Sequence, residues 1–197
     1  MQEMEDQWLA RALNGDDRAF SHLVETYQVA VYNLCYRMLR DPYEAEDAAQ
    51  ETFLRAYKAI HRYDSNRSFS TWLLSIAAHY CIDQIRRRHL SLVPIEDLPY
   101  QELSDPSPNP EASVSGHEEQ ERVQNLLDTL NATDRAAIIM RYWYELSYEE
   151  IAEALNLTVS AVKSRLHRSR RELAQTWKEG TVSISAVGGT HNESPAF

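Results

Sequence analysis

Residues 146–177 read LSYEEIAEALNLTVSAVKSRLHRSRRELAQTW, and this stretch decides the fold. Ser147 followed by Glu150 has the spacing of a capping box, in which hydroxyl and carboxylate satisfy orphan amide donors from both ends. Ile151, Ala152 and Leu155 then fall on one face at helical spacing. Asn156 stands where that helix should stop, and asparagine tolerates the left-handed conformation of a helix terminus. Thr158 or Ser160 can cap a second helix, on which Val162, Leu166, Leu173 and Trp177 recur on one side. The small Ala152 allows the two helices to cross closely. The pattern predicts a helix-turn-helix.

The second helix carries its cations on the side away from that apolar stripe. Val162, Leu166 and Leu173 point one way, Ser164, His167, Arg168 and Arg171 the other, with Lys163, Arg165 and Arg170 flanking. From Val159 to Lys178 there are six Lys or Arg against one Glu, in a chain whose formal net charge is −10. A charge run is most often a solvated face of an amphipathic helix. Here the turn and the local reversal of sign argue for contact with phosphates and with guanine acceptor edges in a major groove.

The rest of the chain narrows the class. Its 197 residues suffice for one or two small domains, and only 5 are Gly, which favours an all-α protein. No apolar run reaches the length of a membrane span, and the acidic start MQEMEDQWLARALNGDD lacks the apolar core of a signal peptide. Cys35 and Cys81 sit in helical, aromatic surroundings and read as buried packing residues of a reducing cytosol.

Charge is segregated along the chain. From His89 to Glu121 there is no Lys or Arg but eight Asp or Glu, together with Pro94, Pro99, Pro106, Pro108 and Pro110. Such a segment reads as an extended acidic linker, which either solubilises the chain or follows a positive channel on a partner. The expected domains are therefore residues 1–93 and 118–178, joined by a linker over 94–117 and followed by a disordered tail over 179–197.

The first of these domains reads as a set of helices. Trp8, Leu9, Ala12 and Leu13 begin one that Asn14-Gly15 ends. Phe20, Leu23, Val24, Tyr27, Val31, Leu34, Cys35 and Met38 pattern a second. After the Asp41-Pro42 break comes YEAEDAAQETFLRAYKAIH from Tyr43, with Ala45, Ala49, Phe53, Ala56 and Tyr57 as the buried stripe and Glu46, Asp47, Gln50 and Glu51 outside. A fourth runs FSTWLLSIAAHYCIDQIRRRHL from Phe69 and ends in Arg86, Arg87 and Arg88. Its aromatics belong first to a core. A helix rich in Trp, Tyr and His that ends in three Arg also suits single-stranded nucleic acid, with bases stacked on rings and cations along the backbone.

Taken together, these pieces resemble the extracytoplasmic-function (ECF) class of bacterial RNA polymerase sigma factors over residues 7–176. GDDRAFSHLVETY at Gly15 looks like the opening helix, and AEDAAQETFLRAYKAI at Ala45 is similar to the helix that binds core polymerase. FSTWLLSIAAHYCIDQIRRR at Phe69 resembles the segment that melts and reads the −10 element; residues 146–173 match the reader of the −35 element.

The resemblance implies two helical domains of the sigma domain-two and domain-four kinds, a cytoplasmic location, and core polymerase (β′ and β) and promoter DNA as partners. An anti-sigma factor, membrane-anchored for many members, is a further expected partner; insertion of this chain into a membrane is not. It places Asp47, Gln50, Glu51 and Phe53 against a β′ coiled coil, and Trp72, His79, Arg86, Arg87 and Arg88 at the −10 element. His79 stands where many members have Asn near a pocket for a flipped base. Lys163, Ser164, Arg165, His167, Arg168 and Arg171 fall at the −35 element. Ser160-Ala161 replaces the family's usual Gly-Thr, and Ser160 is expected to cap the reading helix. Tyr142, Trp143 and Tyr144 are expected to pack between helices.

Two other classes explain less. A conventional helix-turn-helix regulator, with a sensing or dimerising N-terminal half, accounts for the last third but not for the EDAAQE face or the aromatic helix. An enzyme would need a phosphate loop, a nucleophile elbow or a His-Glu-x-x-His pair, and the sequence has none of them. His79 and Cys81, at i and i+2, do not share a helix face, so no metal or other cofactor is expected.

Overall fold

The computed structural model describes residues 2–65, 67–91 and 114–187, and those residues form helices without a strand among them. The helices are α1 (Gln2–Leu13), α2 (Asp17–Leu39), α3 (Pro42–Ala59), a 3-10 turn (Ile60–Arg62), α4 (Phe69–Ser91), α5 (Val114–Thr129), α6 (Ala132–Trp143), α7 (Tyr148–Ala154) and α8 (Val159–Val187). The proposed linker, residues 94–117, lies outside the described residues up to 113, and its end opens α5. Helix α8 continues past Lys178 to Val187; residues 188–197 lie outside the described residues.

Each early boundary has a local cause. Gly15 takes φ 87°, a left-handed value that glycine adopts without steric cost, and Asp16 then caps α2 by accepting from the Arg18 and Ala19 amides at 3.0 and 3.2 Å. Arg40 ends α2 in the left-handed region (φ 65°). Asp41 caps α3 through the Glu44 amide at 2.8 Å, with Pro42 at the first helical position, where its missing N–H costs nothing.

Helices α2, α3 and α4 pack on one another, and α1 lies on α2. Helix α3 approaches closely because its inner face is small: Ala45, Ala48, Ala49, Thr52 and Ala56 are all buried. Tyr57, expected in that stripe, is instead 45% exposed, because its hydroxyl reaches out to donate to Asp17 at 2.6 Å. Helix α4 buries Leu73, Leu74, Ala77, Ala78, Cys81 and Ile82, too wide an arc for a single partner. One side meets α2 and α3, the other α6 and α7.

The second unit forms around α6, α7 and α8, with Ile138, Ile139, Met140, Ile151, Val162 and Leu166 buried. Asn131 caps α6 through the Asp134 amide at 3.0 Å. Ser147 and Glu150 close the expected capping box, and Asn156 turns at φ 53°. The cap of α8 is Thr158, whose hydroxyl accepts from the Ala161 amide at 3.1 Å; Ser160 lies inside the helix and exposed, which corrects the expectation that it caps. Tyr142 and Trp143 are 54% and 39% exposed rather than packed between helices, since they sit at the outer end of α6. Tyr144 alone reaches inward, and its hydroxyl donates to the Ala30 carbonyl of α2 at 2.6 Å. Trp177 also leaves the apolar stripe, 42% exposed beneath the Arg122 guanidinium at 4.3 Å.

Candidate nucleic-acid interface

On α8 the apolar stripe fixes the rotation of the helix. Val162 and Leu166 are buried, so Lys163, Ser164, His167, Arg168 and Arg171 face solvent together. Arg165 is the exception within the expected set. It is half-buried, and its Nη1 donates to Asp134 Oδ1 on α6 at 2.7 Å, which holds it at the edge of the cationic face. Lys163 leans over the Tyr148 ring at 5.7 Å, joining the start of α7 to the start of α8. Ser169 is 1% exposed and packs with the inner side.

On α4 the expected residues divide. Trp72 is half-buried in an aromatic cluster with Tyr63 (5.2 Å between ring centroids) and Phe69 (5.6 Å), and Tyr27 completes it against Phe69 at 5.5 Å. Tyr27 and Tyr63 went unnoticed as partners of this helix, because each belongs to a different element. Burial, and then the Glu5 carboxylate that accepts its hydroxyl, raise the Tyr27 phenol well above its ordinary range. His79 is half-buried: Nδ1 lies 2.8 Å from the Ser75 carbonyl, and Nε2 lies 3.3 Å from Asn156 Nδ2. Arg86, Arg87 and Arg88 are exposed along the last turns of α4, and Arg88 pairs with Glu44 of α3. Cys35 and Cys81 are free thiols, fully buried; their mutual hydrogen bond, and then burial, push the Cys81 thiol far above its usual value.

On α3 the acidic face is shared between two grooves. Gln50 and Phe53 line a cleft of about 480 Å³ with Val24, Gln28, Val29 and Tyr32 of α2. Asp47 borders a smaller cleft with Leu39, Tyr80 and Gln84. Glu51 is half-buried and accepts from Arg55 Nε at 2.7 Å. The α2 wall of the larger cleft escaped the sequence reading. Val29, 65% exposed on an otherwise ordinary helix, is the signal that could have found it. Among the described residues no group of His, Cys, Asp and Glu is placed to hold a metal ion, and no helix is long and apolar enough to cross a membrane.

The described residues thus form two helical units, one with an outward cationic face on α8 and one with an aromatic, arginine-ended α4 packed on α2 and α3. Residues 23–90 match the model of Sigma-70 region 2, and residues 120–173 that of Sigma-70, region 4. The ECF RNA polymerase sigma factor SigW of Bacillus subtilis is 37% identical over 91% of this chain and 100% of its own length. The RNA polymerase sigma-H factor of Pseudomonas aeruginosa is 34% identical over 87% of this chain and 93% of its own length. The fold matches that of CnrH, solved in complex with the cytosolic domain of CnrY (TM-score 0.67, 24% identity, 89% of this chain and 98% of that one). The chain belongs to the ECF family of RNA polymerase sigma factors. It is a promoter-directing initiation factor, a class that performs no bond chemistry, and a conventional helix-turn-helix regulator is not favoured.

Proposed function

We propose that this chain assigns its two units to the two promoter elements and its α2–α3 cleft to core polymerase. Helix α8 reads the −35 duplex with Lys163, Ser164, His167, Arg168 and Arg171, and Arg165 steadies its approach through Asp134. Helix α4 takes the −10 element: Trp72 braces the helix, His79 stacks on or hydrogen-bonds to an unstacked base, and Arg86, Arg87 and Arg88 follow the backbone. Gln50 and Phe53, with the apolar α2 wall beside them, take the β′ coiled coil; Asp47 and Glu51 supply the acidic margin. An anti-sigma factor is the regulator that family membership favours, and a membrane-anchored one would hold this chain at the membrane.

The observation that carries this reading is the joint outward projection of Ser164, His167, Arg168 and Arg171 while Val162 and Leu166 are buried. The magnitudes agree. Opening duplex DNA costs roughly 1–2 kcal/mol per base-pair step. Stacking contributes about 1–3 kcal/mol per base. A few contacts on α4 are therefore enough to nucleate a bubble once α8 anchors the complex.

Run-off transcription with core polymerase on a promoter library tests the assignment. Arg168→Ala should relax selectivity at −35 positions, and His79→Ala should weaken transcription from promoters that differ in the −10 element. Unchanged −35 selectivity in Arg168→Ala would remove α8 from its assigned role.

A further inference from the structure

Asp134 stands in the first turn of α6, 7% exposed, where a carboxylate needs partners to offset its lost hydration. Capping does not explain it, because Asn131 already caps α6 with its Oδ1. Both carboxylate oxygens are engaged instead. Oδ2 accepts from Asn131 Nδ2 at 2.6 Å, and Oδ1 accepts from Arg165 Nη1 of α8 at 2.7 Å. Asn131 thus grips Asp134 twice, through its backbone amide and through its side chain, and the ring so closed fixes the plane of the carboxylate. Arg165 lies beside Ser164 and one turn before Arg168, and 30% of its side chain stays exposed. Among the described residues it is the one α8 cation that a carboxylate holds.

We infer that Asp134, locked by Asn131, is a positioning residue for −35 recognition: it holds Arg165 in one orientation, so that the guanidinium grips a phosphate at a fixed place and sets the register of α8 in the groove. The inference rests on the assignment of α8 to the −35 element. A guanidinium carries its five donors in a rigid fork. With Nη1 given to Asp134, the edge formed by Nε and Nη2 is taken by no protein group among the described residues. That edge suits two parallel bonds to phosphate oxygens. Phosphate contacts carry no sequence information themselves, but they fix the orientation from which neighbouring side chains read bases. The ion pair is not needed to hold α8 on α6 and α7. Val162, Leu166 and Ser169 are buried already, and an ion pair partly open to water adds little to stability. The pair also lowers the positive charge that α8 shows to DNA, which a surface built for attraction alone would avoid.

The sign of one substitution separates positioning from simple electrostatics. Asp134→Ala removes a negative charge beside the DNA face, so charge alone predicts tighter binding to any duplex, whereas positioning predicts weaker binding to the cognate one. The probes are the duplex that wild-type holoenzyme selects from a promoter library and the same duplex with its −35 element scrambled. The reading is the ratio of the two affinities at fixed salt. Loss of one oriented contact should lower that ratio about tenfold in Asp134→Ala, with affinity for the scrambled duplex equal to wild type or higher. Arg165→Lys, which keeps the charge and loses the fork, should lower the ratio in the same way. Arg165→Ala should also cut the slope of log affinity against log salt by about 1, and adding Asp134→Ala to it should cost no further selectivity. Asn131→Ser keeps a hydroxyl to cap α6 but loses the donor to Asp134, and should lower the ratio with helix content unchanged. That variant decides the matter if Asp134→Ala unfolds the second unit. A ratio that stays at the wild-type value in Asp134→Ala and Asn131→Ser overturns the inference, and so do selectivity losses of Asp134→Ala and Arg165→Ala that add. Arg168→Ala tells the two failures apart. If it too leaves the ratio unchanged, α8 does not read the −35 element and the inference falls with that role; if it lowers the ratio while Asp134→Ala does not, only the positioning role falls.

Discussion

Ser147 and Glu150 show how much one pair of side chains can hold. The Ser147 hydroxyl accepts from the Glu150 amide at 3.1 Å, and the Glu150 carboxylate accepts from the Ser147 amide at 2.8 Å and its hydroxyl at 2.7 Å. The Ser147 amide, then its hydroxyl, hold the carboxyl below its ordinary value; burial pulls the other way, and the Thr71 hydroxyl lowers it further. A carboxyl whose pKa falls on folding contributes stability above the unfolded value of about 4.3, and that contribution is lost as pH drops through the folded one. Ser147→Ala should therefore cost about 0.5–2 kcal/mol at neutral pH, and the gap to wild type should narrow below about pH 4. Urea midpoints at several pH values measure it. This box was legible because its partners are three residues apart. The Asn156 turn was legible for the same local reason. The exposure of Tyr57 was not, since it depends on Asp17 forty positions away. The surroundings of His79 were equally hidden, being supplied by a residue 77 positions on.

At the scale of an element, α8 separates stability from binding by face. Leu166 is 2% exposed and Arg171 is exposed on the opposite side. Leu166→Ala should destabilise the second unit by about 2–5 kcal/mol, whereas Arg171→Ala should change stability by no more than roughly 0.5 kcal/mol. The arginine variant should show its effect in binding. For holoenzyme on a promoter duplex, the slope of log affinity against log salt should fall by about 1 if Arg171 neutralises one phosphate. An unchanged slope would mean that Arg171 points past the DNA. Helical periodicity made the rotation of α8 readable without a structure, because one buried stripe determines the other face. Periodicity failed where a helix serves two partners. The sequence reading put the aromatics of α4 in a core, but could not say that α6 and α7 supply a second side to it.

At the scale of the molecule, Arg135 joins the units. It is 8% exposed, and its guanidinium donates to the Met38 carbonyl at 2.7 Å and the Asp128 carbonyl at 3.2 Å, and pairs with the Asp128 carboxylate at 2.9 Å. Burial lowers its pKa, and the Asp128 charge opposes that shift. Removing one member of a buried ion pair costs about 3–5 kcal/mol when the partner charge is stranded. Here Asp128 keeps Arg40 and is 30% exposed, so the group left wanting is chiefly the Met38 carbonyl. The expected cost of Arg135→Ala is accordingly about 1–3 kcal/mol, that of an unmade buried hydrogen bond. Its more telling effect is on cooperativity. Trp8 and Trp72 report on the first unit, Trp143 and Trp177 on the second. With either pair replaced by Phe, wild-type urea transitions from the two units should coincide, as a cooperative structure requires. In Arg135→Ala they should separate, because the α2 end no longer shares its carbonyl with α6. Arg135→Met, which keeps the volume and loses the same hydrogen bonds, should separate them as well. Coincident transitions in both variants would mean that the apolar contacts of α4 with α6 couple the units without help from the guanidinium.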